Sequence, residues 1–597
     1  MNNENKRPKR KDMPDVSGLD TRGTGEYKGL PTHEQGWKLY QRGVAYNASI
    51  GLNDTVKANE NFFVGKQWEG VQANGLPTPV FNILKRVGCF TVATISSDNI
   101  KIAAAPLSAT ARTKQLIEPA RILNEELDAL TEINKIPALM REFARNAAVD
   151  GDGCTYTYWD PDEETGQDAK GAIKTEIVDN TRVFFGNPND RKVQTQPYII
   201  IESRAILGEV KMRAKENGFD TWADITTDND STAPDAYKDL DDKVTLLLLL
   251  WRDKKTKHIW AYEFTQKSPV REAWDMGIKL YPVTWLNWDY IQNSYHGQAR
   301  VTGLIPNQIF INRSWAMSQL SLMTSAYPKT IYDKTRIAKW DNRIGAAIGI
   351  NGGDVNSVAR NIDPATISPQ VSQFIRDAIE QTEESLGATS VALGDTRPDN
   401  TSAIIALQRA AATPSEITKQ NLFQSIEDLY RIYLEFITEY YGTRSVDIPA
   451  PEQLAAAYQM VGQDMPSEIT VDFDFSALKN LPMRMKLDVG ASSYYSEIAS
   501  IQTLDNLLRN GQIDVLQYLE RIPDGYIPAR RELIEDIKSQ RQAQQMQQMQ
   551  MAQQQMQMAQ PGAIAEQIEA EKEVPTGGGY SALQRKVNET GTTEGLV

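Results

Sequence analysis

The sequence predicts an α+β fold, and three observations indicate it. Apolar residues recur at three- and four-residue spacing over most of 33–149, which is typical of helices that bury one face. Between 154 and 288 the pattern changes to short β-branched and aromatic runs separated by turn residues. From Gly303 onward the helical spacing returns. Helices and strands that are segregated along the chain in this way favour α+β over an alternating α/β architecture.

The first helical region is predicted as several helices. Segments 33–63 and 82–97 each carry an apolar face, and segment 113–149 is expected to form two helices. Pro137 suits the first turn of the second of these, because its missing N–H group would have no partner there. The residues before 33 are polar with a basic cluster near the start, which predicts a disordered basic arm over 1–32 and leaves an arm that binds phosphate or a partner as the alternative.

A β-hairpin is predicted at the start of the strand-rich region, where segments 154–159 and 172–178 flank a polar loop with proline and glycine. A short helix is expected over 205–217. Further strands are expected at 183–185, 198–203, 244–251, 258–264 and 281–288. The longest apolar run, 246–251, is far too short to cross a bilayer, so no membrane partner is expected.

The C-terminal half is predicted to be mainly helical. Helices are expected at 304–325, 368–387, 400–442 and 483–540. The third is interrupted or kinked at Pro414, and the last is broken at Gly511 and again at 523–528. Residues 469–475 alternate in polarity and predict one strand.

The charge balance restricts how the protein interacts with nucleic acid. The chain has 64 basic and 78 acidic residues, and its formal net charge is −14. Each phosphate contact needs a lysine or arginine, so tight binding of DNA over the whole surface is not expected.

The sequence contains no enzyme motif. It lacks a GxxxxGK[ST] phosphate loop, an HExxH zinc motif and a GxSxG nucleophile motif. Its only histidines, His33, His258 and His296, lie far apart, and Cys89 and Cys154 match no zinc-binding spacing. Catalytic residues, metal ligands and cofactors are therefore not predicted.

Two acidic groups allow alternative interpretations. The Asp-Gly-Asp-Gly sequence at 150–153 resembles part of a calcium loop but lacks the later ligands, which favours a helix end followed by a turn. Asp472 and Asp474 share one face of a predicted strand, which suits either a two-metal site or, more simply, the solvent side of the strand.

Four stretches resemble the portal proteins of tailed bacteriophages, in that family's order. Residues 61–68 read Asn-Phe-Phe-Val-Gly-Lys-Gln-Trp and lead to Phe-Asn at 81–82. Residues 144–158 run from a helix through Asp-Gly-Asp-Gly into a strand. Residues 296–312 begin His-Gly-Gln-Ala-Arg-Val-Thr-Gly, and residues 399–408 read Asp-Asn-Thr-Ser-Ala-Ile-Ile-Ala-Leu-Gln. No single stretch is as specific as a phosphate loop, and their common order carries the resemblance.

The resemblance implies the portal-protein fold, with an α/β wing, a helical stem, a small clip, a long helix after a tunnel loop and a helical crown. The implied parts of this chain are a wing at 33–296 with a returning strand at 467–476, a first stem helix at 297–325, a clip at 326–367, a second stem helix at 368–387, a tunnel loop at 388–399, a long kinked helix at 400–442, a crown at 483–540 and a Gln/Met-rich, polar tail at 541–597.

The resemblance also implies a function. Portal proteins form a ring, usually of about twelve copies, at a unique vertex of the virion capsid. The ring is the conduit for double-stranded DNA during packaging and ejection. The implied partners are further copies of the chain, the major capsid protein, the terminase large subunit, head-completion or tail proteins, and DNA that passes without sequence-specific binding. The protein would be made in the host cytoplasm.

Two sets of site residues follow from the resemblance. Thr396, Arg397 and Asp399 in the tunnel loop would face DNA, although Arg397 is equally expected to pair with an acidic residue of a neighbouring subunit. The clip has a local basic excess that would contact the packaging motor, an adaptor protein or DNA, or would simply be solvated. Its residues are Lys329, Lys334, Arg336, Lys339 and Arg343.

Two alternative functions remain open from the sequence. Another virion structural or adaptor protein is one, although adaptors are usually shorter and capsid proteins lack two helices flanking a loop-rich module. A soluble α+β enzyme with an unrecognised site is the other, and it would need a deep pocket lined by convergent carboxylates.

Overall fold

The computed structural model divides into two compact units, Met1–Ser493 and Tyr494–Val597, each of which is considered by itself. The described residues are 14–24, 27, 29–96, 100–106, 113–167, 169–228, 242–326, 329–337, 339–341, 343, 347–361, 369–384, 415–449, 468–479, 481, 483–489, 494–522, 527, 530, 533–534 and 536–541.

The described helices are α1 (His33–Ser49), α2 (Leu52–Val64), α3 (Ile83–Ser96), α4 (Thr113–Ile133), α5 (Ile136–Asp150), α6 (Leu207–Glu216), α7 (Ile305–Ala326), α8 (Val355–Val358), α9 (Pro369–Glu384), α10 (Glu416–Tyr440), α11 (Tyr494–Arg509) and α12 (Val515–Arg521). The described strands are β1 (Ile100–Pro106), β2 (Asp152–Asp160), β3 (Ala172–Ile177), β4 (Val183–Phe185), β5 (Tyr198–Ile206), β6 (Lys243–Arg252), β7 (Ile259–Phe264), β8 (Pro269–Asp275), β9 (Val283–Asn287), β10 (Thr330–Tyr332), β11 (Ala359–Asn361), β12 (Thr443–Pro449), β13 (Glu468–Asp474) and β14 (Met483–Val489).

Among the described residues, the predicted helices are confirmed except at 483–489, and one of them is divided in a way that was not expected. Segment 33–63 forms two helices, α1 and α2, because Gly51 between them adopts a left-handed conformation with φ of 62°. The expected break within 113–149 lies at Lys135, whose φ of 50° is also left-handed, and Pro137 occupies the first turn of α5 as predicted.

Two antiparallel sheets form the strand-rich region. The predicted hairpin is confirmed as β2 and β3, and β9 pairs on the other side of β2. Strands β4 to β8 form a five-stranded sheet in sequence order. The mixed helix-and-sheet composition is consistent with the predicted α+β class.

Six of the described strands were not predicted, namely β1, β8, β10, β11, β12 and β14, and the last of these corrects an expectation. Residues 483–489 were expected to be helical, but they form β14, which pairs antiparallel with β1. Their alternation of Met, Arg, Met, Lys, Leu, Asp and Val is a period-two pattern, which indicates a strand. The strand expected at 469–475 is confirmed as β13, but its partner β12 was missed, as was β8.

The largest core lies between the helices and the inner faces of both sheets. It includes the fully buried Phe143 of α5, Tyr433 and Phe436 of α10, and Phe475 after β13. Alternate residues of the five-stranded sheet point into a second apolar cluster on the opposite face, which α1 covers. Because both faces of β6 are covered, its residues are apolar without interruption from Leu246 to Trp251.

The described part of the predicted disordered arm packs on this second cluster. Val16, Leu19 and Tyr27 are buried against it, and the backbone N–H of Asp15 donates to Asp253 Oδ1 at 2.7 Å. The prediction of disorder over 1–32 is therefore wrong for these residues. The apolar side chains that anchor them are too widely spaced to give a periodic pattern.

The second unit contains α11 and α12, separated at Gly511 as predicted. Asp514 caps α12 and its carboxylate also pairs with Arg541. In the residues covered by the structure, none of the helices combines the length and hydropathy that a bilayer span requires.

Helix α1 approaches the five-stranded sheet closely at Gly43. A Cβ atom at this position would lie 2.6 Å from Phe184 Cδ1, inside van der Waals contact. We predict that Gly43→Ala destabilises the first unit by about 1–3 kcal/mol through overpacking. The control is Gly208→Ala in α6, where the added methyl meets no atom within 4 Å. Thermal unfolding at one scan rate measures both, and an equal or higher midpoint for Gly43→Ala would contradict the prediction.

Candidate functional site

The candidate site begins with helices α7 and α9, which pack against each other. The sequence predicted both helices. Phe310 contacts Phe374 edge-to-face with ring centroids 5.6 Å apart, and Asn307 Nδ2 donates to Thr382 Oγ1 at 3.2 Å. The 329–361 segment connects these helices, so it is presented at one end of the helix pair.

A buried network of amide side chains attaches α7 to the rest of the unit. Gln308 is 1% exposed, and its Oε1 accepts from the backbone N–H groups of Ile83 at 3.1 Å and Leu84 at 3.4 Å. These N–H groups belong to the first turn of α3 and have no partner within that helix. Asn82 Oδ1 accepts from Lys85 N at 3.0 Å. Helix α3 is therefore capped partly by Asn82, the residue that precedes it, and partly by a side chain of α7.

The same network reaches the first resembling stretch. Gln308 Nε2 donates to Phe81 O at 2.7 Å and to Asn312 Oδ1 at 3.0 Å, and Asn312 Nδ2 donates to Gln67 Oε1 at 2.6 Å. Stretches 61–68, 81–82 and 296–312 thus meet in space. The sequence showed these amides as parts of separate motifs, but no local pattern predicts that they contact one another.

The beginning of the 296–312 stretch is held by a second buried cluster. His296 Nδ1 lies 2.7 Å from Asp152 Oδ2, and Asp152 Oδ1 accepts from Asn287 Nδ2 and from Gly297 N, each at 2.7 Å. The side chains of His296 and Asp152 are 2% and 0% exposed. A histidine–carboxylate pair this deeply enclosed holds two segments together and is not accessible to a substrate.

The Asp-Gly-Asp-Gly sequence supplies this cluster and forms the predicted helix end and turn. Helix α5 ends at Asp150 and β2 begins at Asp152. Gly151 has a φ of 103°, and a Cβ there would lie 2.9 Å from Gly297 O, so glycine permits the close approach of the two segments. Among the described residues, no three histidine, cysteine, aspartate or glutamate side chains form a group able to hold a metal ion.

No helix or strand was predicted within the 329–361 segment, but it contains a two-stranded sheet. Strands β10 and β11 pair antiparallel, with Thr330 opposite Asn361. The loop between them folds back, so that Ile337 and Val358 are each 2% exposed and Tyr332 stacks on Trp340 with centroids 5.1 Å apart. The pairing joins residues about thirty positions apart, which local sequence patterns do not reveal.

The five predicted basic residues of this segment differ in whether they form an ion pair: the two arginines do, and the three lysines do not among the described residues. Arg343 and Asp341 form a bidentate pair, which lowers the pKa of Asp341 and raises the pKa of Arg343. Arg336 Nε lies 3.7 Å from Asp333, whose pKa is lowered mainly by hydrogen bonds from Thr335. The remaining members are exposed and make no ion pair within the described residues. They are Lys329, Lys334 and Lys339.

Two further observations concern the predicted sites. Arg360 is exposed on β11, opposite Ile331, and adds a basic residue that the sequence analysis did not select. Because β11 pairs with β10, Arg360 lies near the predicted basic residues of this segment although it is distant from them in sequence. Thr396, Arg397 and Asp399, together with the fourth resembling stretch at 399–408, lie outside the described residues.

The amide network generates a prediction for Gln308→Leu. This nearly isosteric change leaves the N–H group of Leu84 and the side-chain oxygen of Asn312 without their partner, while Ile83 N keeps only Phe81 O. The cost is about 1–3 kcal/mol for each unpaired buried group. We expect a lower thermal midpoint and faster hydrogen exchange in the first turn of α3. The control is Gln420→Leu, an exposed glutamine of α10. Unchanged exchange in α3 would show that the network does not cap this helix.

Comparison with protein-family models identifies a family for this chain. Residues 209–574 match the family model described as phage P22-like portal protein, which covers more than half of the chain. No curated protein matches the chain. The matched range includes α7, the 329–361 segment, α9 and α10, whereas stretches 61–82 and 144–158 precede it. The chain therefore belongs to the P22-like family of phage portal proteins.

Proposed function

We propose that this portal protein is the protomer of a ring of about twelve copies that forms the DNA conduit at one vertex of the capsid. In this assignment the strand-rich region is the wing, α7 and α9 are the stem helices, the 329–361 segment belongs to the clip, and α10 is the described part of the long helix. Family membership and the surface of α7 and α9 support the proposal.

The observation that carries the proposal is the apolar surface of this helix pair. Met317, Leu322 and Phe374 are 70%, 69% and 62% exposed, and none of residues 313–326 is buried. A helix that is apolar on several sides is normally buried, and burial of apolar surface contributes roughly 25 cal/mol per Å². Packing of the stem helices against those of neighbouring copies would remove this surface from water.

The charge distribution supports passage of DNA rather than tight binding. Each copy carries a formal charge of −14, so a ring of copies repels phosphate over most of its surface. We assign Thr396, Arg397 and Asp399 to the loop that faces DNA. Contacts with phosphate would then be local, which permits a duplex to slide because few counterions are displaced.

The lysine-rich end of the helix pair suits protein partners. Residues 326–367 hold six basic and four acidic residues, which is a local excess in an acidic chain. We assign this segment to docking of the terminase large subunit during packaging and of head-completion or tail proteins afterwards. The wing would contact the major capsid protein, and the assembled protein would be part of the virion.

Met317→Glu tests ring formation. A carboxylate at this exposed apolar position would resist burial against a neighbouring copy, so we expect the proportion of rings to fall at least tenfold in favour of smaller species. The matched control is Met212→Glu on α6, where the methionine is 57% exposed. Mass photometry and negative-stain images measure the distribution. A wild-type chain that stays monomeric at every concentration and during capsid assembly would contradict the proposal.

Reversing the free lysines tests the docking role. The triple change Lys329→Glu, Lys334→Glu and Lys339→Glu is expected to reduce terminase binding and the yield of DNA-filled heads by about tenfold or more, because attraction becomes repulsion at each position. The control reverses the same number of exposed lysines elsewhere, at Lys57, Lys254 and Lys255. Co-purification and complementation of a phage that lacks its own portal protein provide the measurements. Equal binding and packaging by both triple variants would refute the assignment.

A further inference from the structure

A large cleft opens between the two sheets of the strand-rich region, away from α7 and α9. Its volume is about 1020 Å³, and it lies between β2–β3, strands β5 to β8 and the C-terminal end of α10. Its floor is aromatic and aliphatic. Trp159 stacks on Tyr440 with centroids 5.3 Å apart, Tyr156 stacks on Tyr158 at 5.7 Å, and Phe436 and Leu248 complete the apolar lining.

Most charged groups of the cleft already have an ion-pair or hydrogen-bond partner within the protein. The carboxylate of Glu263 pairs with Arg213, Asp179 lies 3.5 Å from Arg182, and Arg204 pairs with Asp228. Glu176 accepts from Tyr158 Oη at 2.5 Å, and Asp275 lies 3.0 Å from His258 Nδ1. Glu202 accepts from Tyr40 Oη at 2.9 Å. The arginines among these groups are therefore already engaged by carboxylates, whereas the hydroxyl groups that donate to Glu176 and Glu202 are neutral and leave the negative charge of these two carboxylates in place.

Arg271 of β8 is different. Its guanidinium lies over the ring of Trp274, 3.7 Å from the centroid, and it makes no hydrogen bond or ion pair within the described part of the chain. Glu263 stands opposite it on β7 and attracts it at longer range. The cleft walls partly desolvate it, which lowers the pKa of Arg271 without removing its charge. A guanidinium stacked in this way keeps its in-plane donors free for a planar, bidentate acceptor.

We propose that this cleft binds an acidic peptide segment of another protein, with one carboxylate of the segment held by Arg271 and Trp274 and its apolar side chains on the aromatic floor. Tryptophan, tyrosine and arginine are the residues that dominate protein interfaces when they line a recess. The volume is at the upper limit for a small ligand and accommodates several side chains of a peptide. The site is separate from the proposed stem, so its test does not depend on ring formation.

Charge complementarity favours a peptide over nucleic acid. The cleft is lined by five carboxylates and by one arginine that forms no ion pair among the described residues. A nucleic acid strand would bring a phosphate at every nucleotide and would be repelled by these carboxylates. A peptide with a single aspartate or glutamate between apolar residues brings one negative charge to the one available cation.

The probe for this site is the fluorescein-labelled peptide amide Gly-Phe-Asp-Leu-Phe-Gly, with the same peptide carrying Asn in place of Asp as its partner. Both are titrated against purified full-length protein. We expect the Asp peptide to bind about tenfold or more tightly than the Asn peptide, which corresponds to one charge-assisted bidentate contact. Arg271→Met should abolish this difference, and Arg271→Lys should restore only part of it, because lysine lacks the planar fork.

The matched control is Arg191→Met, which removes another exposed arginine stacked on an aromatic ring, 4.3 Å from the centroid of Tyr290. Equal affinity for the two peptides, or an Arg271→Met variant that still prefers the Asp peptide, would overturn the proposal. Displacement of the Asp peptide by a short oligothymidylate at lower concentration would assign the cleft to nucleic acid instead. If no peptide binds and Arg271→Met changes the mass of the assembly, a second copy occupies the cleft and the proposal is wrong.

Discussion

The architecture of the first unit depends on buried polar bonds that hold residues 296–312 at two places. Asp152 binds His296 and Gly297 at the start of this stretch, and Gln67 with the first turn of α3 binds Gln308 and Asn312 further along. These groups are buried. A donor or acceptor that lost its partner here would therefore be removed from water without gaining a hydrogen bond in exchange, which is unfavourable. Apolar packing alone tolerates small slips along a helix axis, whereas these directional bonds are satisfied at one position of α7 only.

This constraint determines where the rest of the helix pair lies. Only the first part of α7 has buried residues, and the remainder extends with exposed apolar side chains toward the 329–361 segment. Helix α9 returns alongside α7 through Phe374 and Thr382 and pairs through Glu383 with Arg86 of α3. The lysines of the 329–361 segment therefore lie at the far end of the helix pair, and the other end of α7 is fixed by hydrogen bonds. In the proposed docking role, a rigid attachment of the helix pair would keep these lysines at a fixed position for each partner.

Charged side chains of this protein fall into two groups: those that form ion pairs within the fold, and those that are available to a partner. In the strand-rich region, several arginines of the cleft are paired with carboxylates. Such pairs help to define one folded arrangement, and they leave little attraction for a binding partner. Arg271 and the lysines at 329, 334 and 339 are exceptions among the described residues, and they lie on different parts of the unit. The three lysines carry compact positive charges at the exposed end of the helix pair. Arg271 instead offers a planar guanidinium in a recess lined by aromatic rings. These two chemistries suit different partners.

The sequence by itself determined the helices with strong periodicity, the β2–β3 hairpin, the turn at Asp-Gly-Asp-Gly and the family, because each of these depends on local spacing or on ordered short motifs. The lysines of the 329–361 segment were also identifiable from local charge alone. Only the tertiary structure decided the partners of β1, β12 and β14, the bonds of Gln308 to Phe81 and of Asn312 to Gln67, and the cleft around Arg271. Those features join residues that are far apart in the chain, and local propensity carries no information about which distant strand edge, amide or aromatic ring will lie opposite. Burial selects them, because a polar group or strand edge enclosed in the core must find its partner wherever the folded chain provides it.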